Sequence, residues 1–461
     1  MFVNRTSELA LLEKHYNSNH AELFVLYGRR RVGKTELLAH FCGGKRHVFF
    51  VADQVPEQTL RANLSAAIND VIFGAGQVSA VYNTWDDLFG VLAGQAQSER
   101  LIVVLDEFPY LVAAYPPLGS ILQRIWDHSL KNSQIMLILN GSYIGMMEET
   151  ILGYQAPLYG RRTAQYLLEP LDFLDARQFF LPYDPDESLR TYAVYGGTPA
   201  YLQTIDPNVS LETNILEGIL ERGSILYDEV RFVLQQELRE PRNYFAVMQA
   251  IASGNTRQKE IKLAAGLDNI APYLETLREL HLVERSVPVT ETQPHKSRRG
   301  IYRLKDNYVR FWFRFVLPNR SQLERGANQI VYETAIRPGL DHFTSLIFEQ
   351  VCTQYFWRKG LEGELPFVPR KIGGWWKANQ EVDLVLLGEK QMMMVECKWS
   401  NRPIGTNIFR NLESKARDVL RDAGQRAVQY ALCSRSGFTD HMVELAGERG
   451  DIHLYSWEDM I

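Results

Sequence analysis

Three stretches of the chain are apolar without a break over the length of a strand: "ELFVLYG" at 22–28, "RLIVVLDE" at 100–107 and "QIMLILNGS" at 134–142. None alternates apolar with polar, which is the pattern of strands buried on both faces in a parallel sheet covered by helices. Helical stretches separate them, so residues 1–170 are expected to form an α/β core. After "LEPLDFLDARQFF" the pattern turns helical, and residues 171–240, interrupted by the turn-forming "YGGTPAYL", read as a helical lid. Residues 241–330 follow another order. Three helices ("NYFAVMQAIASG", "RQKEIKLAAGL", "DNIAPYLETLRELHLVER") precede a two-stranded hairpin in "SVPVTETQPHKSRRGIYRLKD", the order of a winged helix-turn-helix. From 331 to 461 a helix ("LDHFTSLIFEQVCTQYFWRKG"), two strands ("EVDLVLLG", "MMMVECKW"), a helix near 408–423 and the short apolar "AVQYALCS" predict a second, smaller α/β unit.

The length of 461 residues exceeds what one hydrophobic core organises, so several domains are expected, and 46% hydrophobic with 23% charged residues is ordinary globular composition. The net charge of −5 excludes a uniformly basic coat, so any contact with nucleic acid has to come from a local patch. Four scattered cysteines, Cys42, Cys352, Cys397 and Cys433, lack the spacing of a disulfide framework or a CxxC zinc site, which fits a reducing cytoplasm. The apolar runs fall well short of the roughly 20 residues of a membrane span, so no membrane association is expected.

Gly28, Gly33, Lys34 and Thr35 match G-x-x-x-x-G-K-[ST] directly after one buried strand and at the opening of a helix. Glycines let successive backbone N–H groups converge on phosphates, the lysine reaches the terminal phosphate oxygens and the hydroxyl meets Mg²⁺. Gly28, Arg29, Arg30, Arg31, Val32, Gly33, Lys34, Thr35 and Glu36 together are the expected ATP cradle. The second run ends in Asp106 and Glu107. One carboxylate is suited to hold the magnesium shell and the other to orient the attacking water. At the end of the third run, Asn140 or Ser142 is placed to sense the γ-phosphate. "PLYGRRT" offers Arg161 and Arg162, either of them a candidate to neutralise the transferring phosphoryl group in its own chain or a neighbouring one; two solvated surface arginines are the other reading.

"VNRTSEL", "LYGRRRVGKTELL", "VVLDEFPYL", "LNGSYIGMM", "APLYGRR" and "YGGTPAYL", in this order and spacing, resemble the archaeal-type ATPase family, P-loop proteins of the AAA+/STAND assemblage, over about the first 230 residues. The resemblance implies that the amino-terminal box, Val3, Asn4 and Arg5, lies by the adenine. In a phosphate loop the amides point inward, so the side chains of Arg29 to Arg31 are expected to radiate outward, toward another domain, a second protomer or nucleic acid.

The hairpin after the third helix gathers His295, Lys296, Arg298, Arg299, Arg303 and Lys305, a cluster suited to phosphate contacts, while the helix near 269–283 carries few base-reading side chains. Weakly sequence-specific binding to duplex DNA is the expectation; a winged helix that contacts protein is the alternative. The aromatics of "YVRFWFRF" read as core or as a stacking platform, with core favoured.

Alternation along "VECKW" sends Glu396 and Lys398 to one face of a strand, beside Asp383 on the strand before it. Asp383 and Glu396 are suited to hold one or two Mg²⁺ or Mn²⁺ ions, with Lys398 positioning or deprotonating a water. The spacing resembles the PD-(D/E)XK superfamily, the restriction-endonuclease-like fold, with Val382 in place of its proline and Glu349 matching an acid on the preceding helix. A cross-strand salt bridge is the plain structural alternative. Together the motifs predict a cytoplasmic, DNA-acting ATPase with a metal-dependent nuclease-like domain, able to form homo-oligomers. The alternative is a STAND-like signalling switch whose carboxyl-terminal unit only recognises a partner.

Overall fold

The computed structural model describes residues 2–77, 80–142, 144–238 and 240–461. The chain forms two compact units. One runs to Pro170 and takes in Thr198–Ala200, and the other comprises Leu171–Gly197 and Tyr201–Ile461.

The first unit is built on five parallel strands, β1 (Glu22–Tyr27), β2 (His47–Val51), β3 (Leu101–Asp106), β4 (Ile135–Gly141) and β5 (Ala164–Leu167), in the order β2-β3-β4-β1-β5. Alternate residues of each central strand enter two separate cores. Leu23 and Val25 of β1, Val103 and Leu105 of β3, and Leu137 and Leu139 of β4 meet the helices Glu57–Phe73, Trp85–Gln95 and Leu118–His128. Phe24, Leu26, Ile102, Val104, Met136 and Ile138 meet the helices Thr6–Tyr16 and Lys34–Cys42. Burial on both faces explains the unbroken apolar runs, each large side chain contributing about 1.5–3 kcal/mol. The edge strands β2 and β5 lie outside the three runs that predict strands. They are short and only partly buried, so they lack such a run.

The second unit begins with helices, among them Pro185–Tyr195 and Ile225–Glu237. Tyr308, Phe311, Trp312, Phe313 and Phe315 pack in its core, where Trp312 Nε1 donates to the Tyr227 carbonyl at 2.8 Å. They are core residues rather than an exposed stacking platform. Helices Pro241–Ala252, Gln258–Ala265 and Ala271–Glu279 precede the antiparallel pair β6 (Val283–Ser286) and β7 (Ile301–Leu304).

A mixed sheet follows: β8 (Lys371–Lys377), β9 (Gln380–Leu387), β10 (Gln391–Lys398), β11 (Ala427–Ser434) and β12 (Ile452–Ser456), in the order β12-β11-β10-β9-β8. β8, β9 and β10 pair antiparallel, and β10, β11 and β12 parallel. Met392, Met394, Val385 and Leu432 face the helices Thr406–Ser414, Ala416–Ala423 and Asp440–Glu448. The 26-residue helix Arg337–Glu362 packs on the sheet through β8, β9 and β10. The expected single helix near 408–423 is two, broken at Lys415. Among the described residues no helix is long and apolar enough to cross a membrane.

Candidate functional site

Gly28 leaves β1 at φ 151°, and a Cβ there would lie 2.5 Å from the Leu168 carbonyl oxygen, so glycine is required by contact as well as by dihedral. Arg31 at φ 68° and Gly33 at φ 90° complete the turn into the helix Lys34–Cys42. Lys34 Nζ donates to the carbonyls of Gly28 at 2.8 Å and Arg29 at 2.9 Å, folded back on its own loop. Val32 is buried, and Thr35 and Glu36 are exposed.

Because β4 lies between β1 and β3, its end meets both acids of β3. Thr35 Oγ1 donates to Asp106 Oδ2 at 2.6 Å, Asn140 Nδ2 donates to Asp106 Oδ1, and the Glu107 amide donates to the same oxygen at 2.8 Å. Ser142 Oγ donates to Glu107 Oε1 at 2.5 Å. Glu107 sits at φ 50°, a left-handed conformation that a non-glycine residue holds only under local constraint, at the start of the helix Phe108–Ala114. Asn140 and Ser142, offered by sequence as alternatives, each hold one carboxylate.

Arg5 is buried, and its guanidinium donates to Glu8 Oε1 at 3.0 Å and to the carbonyls of Glu169 at 2.8 Å and Val32 at 3.0 Å. It thus fastens the phosphate loop to the amino-terminal helix. Val3 is buried beside it in sequence, and Asn4 Oδ1 accepts from the Thr6 hydroxyl at 2.5 Å.

The outward course expected for Arg29 to Arg31 needs correction at Arg30. Its Nη2 donates to the Tyr110 hydroxyl at 2.9 Å, tying the loop to the helix that follows Asp106 and Glu107; Arg29 is half-buried and Arg31 exposed. Arg161 pairs with Asp127 at 3.0 Å. Arg162 donates to the carbonyls of Ile151 at 3.0 Å and Leu152 at 2.9 Å and lies over the Tyr159 ring. A role for either at a γ-phosphate requires these bonds to be exchanged.

The basic cluster of the hairpin is divided. His295, Lys296 and Arg298 are exposed, but Arg299 pairs with Glu291 at 2.8 Å and Asp422 at 3.3 Å and donates to the Trp376 carbonyl at 3.2 Å. The Val289 amide donates to the Gly374 carbonyl at 2.9 Å, so the segment between β6 and β7 is fastened to β8. The charge of Arg303 acts on Glu349.

At the end of β10 the face that carries Met392 and Met394 runs out of the core and presents Glu396 and Lys398. Lys398 Nζ lies 2.5 Å from Glu396 Oε1 and 3.9 Å from Asp383 Oδ2, and Asp383 Oδ2 accepts from the Cys397 amide at 2.8 Å. Lys415 Nζ, at the helix break, stands 3.8 Å from Glu396 Oε2, which is buried and has no hydrogen-bond partner among the described residues. Burial, then the charge of Asp383, pushes Glu349 up to about 7, and burial, then the charge of Glu396, pushes Asp383 up to about 6. Burial opposes the charge on Lys398, but Asp383 and Glu396 outweigh it and hold the ammonium above its ordinary range. The three acids and the lysine named from sequence are therefore brought together. Lys415 was missed, since a whole helix and its break separate it from Glu396 along the chain and no local pattern marks it.

A family model for an ATPase domain predominantly from Archaea matches residues 2–205, and one described as archaea bacterial proteins of unknown function matches residues 312–416. An uncharacterized protein of Methanocaldococcus jannaschii is 32% identical over 466 residues, covering 100% of both chains. An uncharacterized ATP-binding protein of the same organism is 56% identical over 46 residues, 10% of this chain and 78% of its own. Among solved structures, a Walker-type ATPase of Pyrococcus abyssi matches with a TM-score of 0.50 and 22% identity, over 68% of this chain and 96% of its own, a likeness of fold. The chain, in which both of these family models match, belongs to the family that the uncharacterized Methanocaldococcus jannaschii protein represents.

Proposed function

We propose that the chain is an ATP-hydrolysing, DNA-associated protein in which a P-loop core (1–170) and helical lid (171–240) act with a winged-helix module (241–330) on a metal-dependent, nuclease-like domain (331–461). The observation that carries it is the meeting of Asp383, Glu396 and Lys398 at one strand end in a chain whose other unit joins Thr35 to Asp106. In the core, Thr35 and Asp106 would hold Mg²⁺, which neutralises phosphate charge when bound. Their pairing by a single 2.6 Å bond, one hydroxyl and one carboxylate, suits that ion. Lys34 exchanges two loop carbonyls for phosphate oxygens, and Glu107, released by Ser142, accepts a proton from the attacking water.

The orphaned Glu396 Oε2 and the raised proton affinity of Glu349 and Asp383 fit a divalent cation in the second unit. Mg²⁺ or Mn²⁺ would be held by Asp383 and Glu396, and Lys398 would position the water. The three-helix-and-hairpin order and the exposed His295, Lys296 and Arg298 support contact with duplex phosphates. The acids Glu275 and Glu279 exposed on the third helix favour weak sequence preference.

The test uses the full chain with Mg²⁺ or Mn²⁺, ATP and labelled duplex DNA. ATP turnover should rise with DNA, and cleavage should disappear in Lys398→Ala while turnover persists. Turnover indifferent to DNA, with no cleavage by the wild type, would instead support a STAND-like switch with a carboxyl-terminal recognition module.

A further inference from the structure

Three of the four cysteines, scattered in sequence, meet in space. Cys397 and Cys433 are directly paired residues of the parallel strands β10 and β11, and Cys352 comes from the helix Arg337–Glu362 that packs on this sheet. All three are buried, at 6%, 0% and 0% exposure, and their sulfurs lie within 4.8 Å of one another. The geometry follows from the fold. Residues in register on neighbouring parallel strands project to the same face, so Cys397 and Cys433 stand side by side, and the helix lays the third thiol against them. A buried cysteine alone behaves as a small apolar side chain, but three sulfurs converging on one point form a ligand set.

We propose that Cys352, Cys397 and Cys433 form a closed, three-coordinate site for a soft d¹⁰ cation of the copper(I) class. Soft thiolates select soft ions. Zinc favours four ligands in structural sites, and among the described residues no fourth His, Cys, Asp or Glu joins the group. The burial of all three sulfurs disfavours a solvent ligand as the fourth corner of a tetrahedron, whereas a trigonal set satisfies copper(I). The site abuts the proposed nuclease centre: Glu396 and Lys398 face away from Cys397 along β10, but Glu349 lies on the same helix as Cys352 and its charge acts on that thiol. Because the site is buried, the ion enters as the chain folds or opens, with loss of the thiol protons.

The test refolds the full chain without oxygen in the presence of copper(I) delivered as its bicinchoninate complex. One copper(I) per chain should be captured against the chelator, and Cys352→Ser and Cys433→Ser should each lower the affinity at least about tenfold. Cys352→Ala and Cys433→Ala repeat the measurement without placing a hydroxyl in the core, and circular dichroism shows that each variant is folded. Capture that is unchanged in the folded alanine variants overturns the proposal. So does failure of a folded wild-type chain, with all thiols reduced, to hold copper(I) against bicinchoninate. A folded chain lighter by two hydrogens, with Cys397 and Cys433 joined as a disulfide, overturns it as well.

Discussion

The two acidic clusters of this chain differ in the donors that hold them and in their hold on protons. At the end of β3, Asp106 accepts three hydrogen bonds, from Thr35, Asn140 and the Glu107 amide, and Glu107 accepts one from Ser142. All four donors are neutral. At the end of β10, Asp383 accepts one amide bond, Glu396 leaves Oε2 without one, and Glu349 and Asp383 hold protons more tightly than ordinary carboxyls. The first cluster is held by neutral donors, yet it too leaves one carboxylate oxygen, Glu107 Oε2, buried without a partner among the described residues. The second gathers more buried negative charge than its donors satisfy, which is the condition a divalent ion relieves.

The largest expected effect that probes this contrast is at Glu107. Glu107→Gln keeps the Ser142 contact but loses the base, so phosphate release should fall by about 10²–10⁴ fold while nucleotide binding persists. Unchanged turnover would remove Glu107 from the chemistry. Next, Gly28→Ala sets a methyl against the Leu168 carbonyl and should destabilise the first unit by about 1–3 kcal/mol in denaturant unfolding, with little change in the second.

The pH dependence of the second cluster has a definite sign. Glu349 and Asp383 bind protons more tightly folded than at their ordinary values of 4.5 and 3.8. Their contribution to stability is therefore full below those values and is lost as pH rises through about 6 to 7. A divalent ion binds the ionised form, so the rise in Tm produced by Mg²⁺ should be larger at about pH 8 than at about pH 5.5, and Glu349→Gln should flatten the difference. An equal Mg²⁺ effect at both pH values would equate the two clusters. The smallest effect is expected from Ser142→Ala. It frees Glu107 from one hydroxyl donor to a carboxylate, worth about 1.5–3 kcal/mol, and should change turnover by less than Glu107→Gln does.

What was legible in the sequence was whatever the chain writes locally. β1, β3 and β4 announced themselves because burial on two faces leaves no polar position, and Gly28 to Thr35 carries its chemistry in eight consecutive residues. β8 did not, since "KIGGWWK" holds two glycines and lysine ends and lies at a sheet edge. The pairing of Glu396 with Lys398 followed from alternation, whereas Lys415 reaches Glu396 only through the tertiary fold. Likewise Arg299 reads as a phosphate contact by its neighbours in sequence, yet its partner Asp422 is 123 residues away. Cys352, Cys397 and Cys433 lack any ligand spacing because sheet register, not sequence separation, brings them together.

The most direct test of the contrast between the clusters is equilibrium Mn²⁺ binding to the full chain, followed by electron paramagnetic resonance with and without ATP. One Mn²⁺ should bind without nucleotide and be lost in Asp383→Asn, and a further Mn²⁺ should appear only with ATP and be lost in Lys34→Ala. Nucleotide-free binding that survives Asp383→Asn, or no binding until ATP is added, would contradict the account.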